Sequence, residues 1–202
     1  MTEEFPDTKK PTKIFIIVGV VALIAFLGFV LFGMKGEPFQ TSGVEYNYFR
    51  FEEIGGLWQT NIQLENQVYE GTFRFNPTQV EDVYVAGNFS GFHSSPIYIT
   101  FDPDAGKEQF KYLALASAEL TLHVVRGLNF TVVGACTKNE TDACFERPIV
   151  TCDDVDKSVI YLKSEAPAQI TLSSHCVVLN GNEMDLLKSV DRLLFQWYKI
   201  MK

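Results

Sequence analysis

Hydrophobic positions follow three rhythms along this chain. From Ile14 to Met34 they are continuous, and the run IFIIVGVVALIAFLGFVLFGM holds no charged residue. As a helix rising about 1.5 Å per residue, it is long enough to cross a hydrocarbon core of roughly 30 Å. Lys9, Lys10 and Lys13 precede it and only Lys35 follows closely. The positive-inside bias therefore predicts a cytoplasmic tail at 1–13, a transmembrane helix at 14–34 and a C-terminal domain outside. A cleaved signal peptide would have a shorter apolar region ending in a small-x-small site, and no Ala-x-Ala lies near the end of this one. We read the segment as an uncleaved signal anchor.

A turn-rich linker at 35–43 leads to a domain at 44–202, where the rhythm becomes that of strands. EYNYFRFEE, GLWQTNIQLE and QVYEGTFRF are broken at Gly55-Gly56 and Glu65-Asn66, which predicts a three-stranded antiparallel meander ending at Asn76-Pro77-Thr78. Pro96 to Phe101 reads as another strand. From Lys107 to Arg126 the period turns helical, with Phe110, Leu113, Ala114, Ser117, Leu120 and Val124 on one line and Leu115, Ala118, Leu122 and Val125 on a second. Gly127 is the expected stop. Phe130–Ala135, Val159–Leu162, Gln169–Leu172 and Cys176–Leu179 read as strands. A last helix, expected to be capped by Asn182 with Asp185 reaching back, carries its apolar stripe through Leu186, Leu187, Val190, Leu193, Leu194, Trp197, Ile200 and Met201. The expected fold class is α+β (mixed α/β): one N-terminal transmembrane helix, then a disulfide-stapled sheet with two amphipathic helices on one face.

Charge narrows the function. The chain after the anchor, linker included, carries 14 of the 17 basic and 22 of the 25 acidic residues, so the whole net charge of −8 belongs to the outer part. With no basic cluster to neutralise phosphates, nucleic acid is not an expected partner. The same charge disfavours lying flat on an anionic lipid surface. Cys136, Cys144, Cys152 and Cys176 all fall in this domain, and an even count outside the cytoplasm predicts two disulfides. Three pairings are possible. We favour Cys136–Cys144 closing a local loop and Cys152–Cys176 tying strand to strand, the second stabilising by roughly 3 kcal/mol through chain entropy. Sequons at Asn88, Asn129 and Asn139 agree with an exported domain. Asn139 is the best acceptor, while Asn129 precedes an apolar strand and is expected to be too buried to modify.

Catalytic chemistry has little to stand on. His93, His123 and His175 share no ligand spacing, and a disulfide-bonded Cys176 beside His175 is no nucleophile. There is no G-x-S-x-G elbow, P-loop, H-E-x-x-H or C-x-x-C. Asp102-x-Asp104-x-Gly106 with Glu108 loosely resembles a calcium loop, but its twelfth position is Leu113. We expect a strand-to-helix turn there, and neither a metal nor a cofactor. Aromatic residues crowd the meander. Strict alternation would send Tyr46, Tyr48 and Arg50 to one face and Phe49 and Phe51 to the other, which makes Tyr46, Tyr48 and Trp58 candidates for an interaction surface.

The C-terminal part, NFTVVGACTKNETDAC to RPIVTCDDVDKSVIYLK and on through AQITLSSHCVVLNGNEMDLLKSVDRLLFQWYKIM, resembles small single-pass proteins of archaea in which an anchor precedes a cysteine-bearing domain. The likeness lies in the cysteine, VIYL, cysteine order and in the closing D-R-L-L-x-x-W-Y helix. It covers the last third to half of the chain. It implies an archaeal envelope setting and two disulfides, and it carries over no functional residue. The expected function is that of a membrane-tethered domain, not an enzyme, held by the bilayer through its first helix. It would contact another envelope or membrane protein. The alternatives are a solute- or metal-binding module, or an extracytoplasmic hydrolase.

Overall fold

The computed structural model describes residues 9–33, 43–65, 67–89, 91–92 and 95–202, and the chain divides into two compact units, 1–40 and 41–202. In the first unit, α1 (Lys9–Gly33) is one uninterrupted helix that begins inside the basic tail. Its side chains from Ile14 to Val30 are apolar on every side of the helix, and Phe15 is 84% exposed. Among the described residues no helix is long and apolar enough to cross a membrane. The described side chains of α1 stop at Val30, short of the end of the uncharged run at Met34. Of the expected linker, only Gly43 is among the described residues.

The second unit is a mixed α+β domain. Its meander has four strands where three are expected: β1 (Gly43–Tyr46), β2 (Phe49–Ile54), β3 (Leu57–Leu64) and β4 (Gln67–Phe73), all antiparallel in chain order. The extra strand arises because Asn47 and Tyr48 both adopt positive φ, 44° and 71°, the signature of a two-residue primed hairpin turn. The turn breaks the alternation within an apparently continuous run and resets which side chains share a face. Val44 pairs with Phe51 and Tyr46 with Phe49, so all four lie on one face, with Trp58, Ile62 and Phe73 buried on the same side. Arg50, Glu52, Gln59, Asn61 and Glu70 take the other face. A single core therefore accounts for nearly all the meander's aromatics.

A six-stranded sheet follows: β5 (Tyr84–Gly87), β6 (Ile97–Phe101), β7 (Val132–Cys136), β8 (Ser158–Lys163), β9 (Gln169–Leu172) and β10 (Cys176–Asn180). Its order is β5-β9-β10-β8-β6-β7, and all neighbours are parallel except β9 and β10. The four-residue edge strand β5 has no counterpart among the expected strands. Parallel β6 and β7 are joined through α2 (Lys107–Leu122), the crossover such a pair needs. The last helix, α3 (Met184–Trp197), contacts α2, β9 and β10. Helices and both sheets share one core. The aromatic seam of that core joins β2 and β4 to α3: Phe51 and Phe73 lie 5.6 and 4.6 Å from the ring of Phe195. The domain thus has two sheets with helices between them, where one sheet with helices on one face is expected.

Three local expectations are corrected. The second helix does not run to Arg126 as an α-helix; after Leu122 it widens into one π-helical turn, His123–Gly127. Gly127 does not stop it through a left-handed backbone. It is needed because a Cβ there would collide with the hydroxyl of Tyr198. At α3 the N-cap is Glu183, with φ 53° and no side-chain cap bond, while Asn182 supplies only its carbonyl to the amide of Asp185 at 3.0 Å.

Cys136–Cys144 and Cys152–Cys176 form the two disulfides, with Cα separations of 5.9 and 5.5 Å, inside the range that a bridge requires. The second holds the segment before β8 over the outer face of the six-stranded sheet. There Ala135, Val150, Val159 and Cys176 form a small satellite core.

The chain leaves α3 through Lys199, whose φ of 58° is the left-handed conformation that glycine favours at a helix C-terminus. Lys199→Gly should raise stability by about 0.5–1 kcal/mol, the relieved backbone cost minus the added chain entropy. A higher urea midpoint at unchanged slope for the full chain in mild detergent is the outcome that checks it.

Candidate functional site

Of the three candidate surface aromatics, one presents its ring. Trp58 is buried in the core and Tyr46 packs half-buried against it, whereas Tyr48 is fully exposed at the hairpin tip. The tip is fastened by Asn47, whose Nδ2 donates to the carbonyl of Ile200 at 2.9 Å. Behind Tyr48 the polar outer face of the meander is concave, with a cavity of about 440 Å³ lined by Arg50, Glu52, Asn61 and Glu70 among others.

Lys138 sits among the loop carboxylates, paired with Asp104, with Asp102 at 3.5 Å and with Glu140 at 3.5 Å. Glu108 turns instead to Lys111 at 2.7 Å. The hydrogen bond to Asp104 holds the Lys138 ammonium above its ordinary range, and the same bond lowers Asp104. The oxygens of the calcium-like loop thus already face a cation. Among the described residues no group of His, Cys, Asp or Glu is arranged to hold a metal. His93 lies outside the described residues. The Nε2 of His175 donates to the carbonyl of Cys152 at 2.7 Å, a structural role. Asn88, Asn129 and Asn139 are all exposed, which corrects the expected burial of Asn129.

Sequence reasoning missed a buried polar cluster between β4, the π-turn and α3. His123 donates from Nε2 to the carbonyl of Thr72 at 2.8 Å, and the hydroxyls of Tyr198 and Tyr69 lie 3.1 and 3.3 Å from its Nδ1, whose single lone pair accepts from one of them. Phe73 stacks on its ring at 4.7 Å. Beside it the Oδ2 of Asp191 accepts from the amides of Arg74 and Phe75 at 2.9 and 2.8 Å, and the Arg74 guanidinium pairs with Glu119. Burial depresses His123, pushes Asp191 well above the usual carboxylate range and raises Tyr198. One signal was available: Asp191 lies four residues after Leu187, inside the apolar stripe of α3.

Tyr198 connects this cluster to a cavity. A cleft of about 700 Å³ lies between the β3–β4 hairpin and the ends of the π-turn and α3, and Glu65, Asn129 and Lys199 line it from left-handed backbones (φ 48°, 58° and 58°). Among the described residues its lining includes no serine, cysteine or histidine, and burial keeps the Tyr198 phenol protonated. The cleft offers hydrogen bonds, shape and the opposite charges of Glu65 and Lys199. An apolar pocket of about 200 Å³ adjoins it, sharing Leu128 and Trp197. No family model, no curated protein and no solved structure matches this chain.

The sign of the His123 effect is fixed by its burial. Its folded value lies below the ordinary 6.5, so the unfolded chain takes up a proton first as pH falls. The histidine's contribution to stability is complete above 6.5 and drains away as pH drops through it. Melting temperatures from about pH 7.5 to pH 5 should fall more steeply for the parent than for His123→Gln, which keeps a donor for Thr72 and an acceptor for Tyr198. Equal slopes would show that His123 does not titrate in this window.

Proposed function

We propose that the chain is a membrane-anchored binding protein. In this reading the uncharged run from Ile14 to Met34, which extends past the described side chains of α1, crosses the cytoplasmic membrane with the N-terminus inside, and the disulfide-stapled domain works on the outer side, contacting another envelope or membrane protein. The uncharged run to Met34 and the three preceding lysines support the anchor. So does the exposure of α1's apolar side chains all round, since a helix of that kind has no stable place in water. Two disulfides and no free cysteine fit an oxidising compartment. The archaeal resemblance suggests the same setting.

The observation that carries the binding role is Tyr48: a fully exposed aromatic held at φ 71°, where glycine would relieve the backbone. Strained backbone of this kind concentrates at functional positions. With Arg50 on the adjoining concave face, it supplies the two residue types that most often anchor protein contacts. Burial withdraws Tyr46 and Trp58 from that role. A solute-binding reading draws on the cleft beside Trp197. The calcium reading loses ground because Lys138 already occupies the carboxylates of Asp102 and Asp104. A hydrolase reading finds no serine or cysteine in the cleft among the described residues.

Tyr48→Gly should separate binding from folding. It should stabilise the domain by about 0.5–1 kcal/mol while weakening capture of a crosslinked membrane partner at least tenfold. Unchanged capture would remove the meander face from the interface. Location is tested independently by protease added to intact cells, which should degrade the C-terminal domain and spare the tail. Glycosylation is tested by the native mass, which should fall in Asn139→Gln if that sequon is used.

A further inference from the structure

The cleft between the β3–β4 hairpin and the end of α3 is lined by an acid and a base that do not meet. Glu65 at the hairpin tip and Lys199 after α3 both line its volume of about 700 Å³. Among the described residues neither has an ion-pair partner. Elsewhere in the domain lysines find a carboxylate: Lys111 with Glu108, Lys138 with Asp104, Lys157 with Asp154, Lys163 with Glu165 and Lys188 with Asp185. Glu65 and Lys199 also hold left-handed backbone, at φ 48° and 58°, where glycine would be less strained. The fold asks for no charge at either reversal, and strain of this kind collects at functional positions.

The polar remainder of the lining is made of amides. Gln63, Gln67 and Asn129 line the same cleft, and each primary amide both donates and accepts, as every peptide group does. The Gln63 side chain is held in place by its Nε2, which donates to the carbonyl of Glu65 at 3.0 Å, and its oxygen is left to accept. Leu128 and Trp197 are shared with the apolar pocket of about 200 Å³, where Phe89, Phe92, Ile97 and Phe130 join them. A cavity of roughly 150 Å³ can hold a benzene ring, so the pocket admits one large apolar side chain.

We propose that the cleft binds a short peptide with both ends free and one large apolar side chain. The peptide's ammonium is matched to Glu65, its carboxylate to Lys199, its peptide groups to the three amides and its side chain to the apolar pocket. A single amino acid supplies both charges but would leave most of the cleft empty. A neutral sugar would use the amides and leave two opposite charges without a purpose. Among the described residues the cleft shares no lining residue with the concavity behind Tyr48, so the proposal does not depend on which partner that face contacts.

The test is calorimetric titration of the full chain, in a non-ionic detergent, with the tripeptide Ala-Phe-Ala and with its N-acetylated and C-amidated forms. The free tripeptide should bind saturably, and blocking either end should weaken it about fivefold, the upper end for an ion pair open to solvent. Glu65→Gln should lose the effect of acetylation alone, and Lys199→Gln the effect of amidation alone. Both keep a side chain on the same strained backbone, and melting curves identify any variant that fails to fold. Absence of saturable binding, or equal affinity for free and blocked tripeptides, would overturn the proposal. So would an effect of blocking at one end only, which would mark the terminus of a protein as the occupant, or tighter binding of free phenylalanine. Variants that keep both blocking effects would overturn the assignment of the two charges. None of these readings depends on the Tyr48 contact or on the membrane topology, which are measured separately.

Discussion

The domain depends on one seam, where the apolar face of the meander meets α3. A four-stranded meander with one polar face has nothing to fold against but itself, and α3 carries apolar side chains too numerous for the six-stranded sheet alone to cover. Phe51, Phe73 and Phe195 join the two, and Asp191 fixes their register by accepting the amides of Arg74 and Phe75 where β4 ends. The carboxyl group is wholly buried, and desolvation opposes its charge. It is tolerable there because β4 offers two amides that would otherwise lie buried without an acceptor. The interaction is strong through what its loss would leave behind: two orphaned donors beside the Arg74–Glu119 pair.

From that seam the placement of the surfaces follows. Because Phe73 must stack on His123, the second helix ends against β4, and its widened turn brings Gly127 under Tyr198. Because α3 lies across both sheets, its C-terminal residues emerge beside the β3–β4 tip, and Asn47 fastens the β1–β2 tip to Ile200. The left-handed residues Glu65, Asn129 and Lys199 are therefore all chain reversals forced into one neighbourhood. The cleft is the space between elements that are anchored elsewhere, which is the usual way a rigid scaffold presents a binding site.

How much of this is legible in the sequence depends on the range of the cause. Long periodic elements are: the final helix, the strands around VIYL and ITL, and the disulfide partners, whose spacing favours a local loop and a longer bridge. The hairpin at Asn47-Tyr48 is not, because alternation continues through it and tyrosine gives no turn signal where glycine would. β5 is too short to show a period. The meander reads as two faces of aromatics only while its first run is taken as one strand; splitting that run moves Val44, Tyr46, Phe49 and Phe51 to the core together. The two pockets could not have been read at all, since Phe89, Phe130 and Trp197 meet only through the order of the sheet. Asp191 is the instructive miss. An acid on the apolar stripe of an amphipathic helix is a buried acid, and its position alone was enough to mark it.

The binding role proposed above is consistent with where the shifted titratable groups lie among the described residues. Catalysis needs a shifted group that substrate can touch. Here burial that shifts pKa and access to a cavity are almost disjoint. His123 and Asp191 are shifted and sealed in the core, and their bonds are spent on backbone groups of β4. Tyr198 is both shifted and in contact with the cleft, and its shift keeps the phenol protonated at neutral pH. What reaches solvent is of another kind: a strained tyrosine tip, an aromatic wall, and a cleft lined by amides and charges of both signs. Under the proposed function, these are the surfaces that would bind and orient a partner. A domain held together by a buried carboxylate and two disulfides is rigid enough to present them without having to reorganise first, which is how affinity is gained from few contacts.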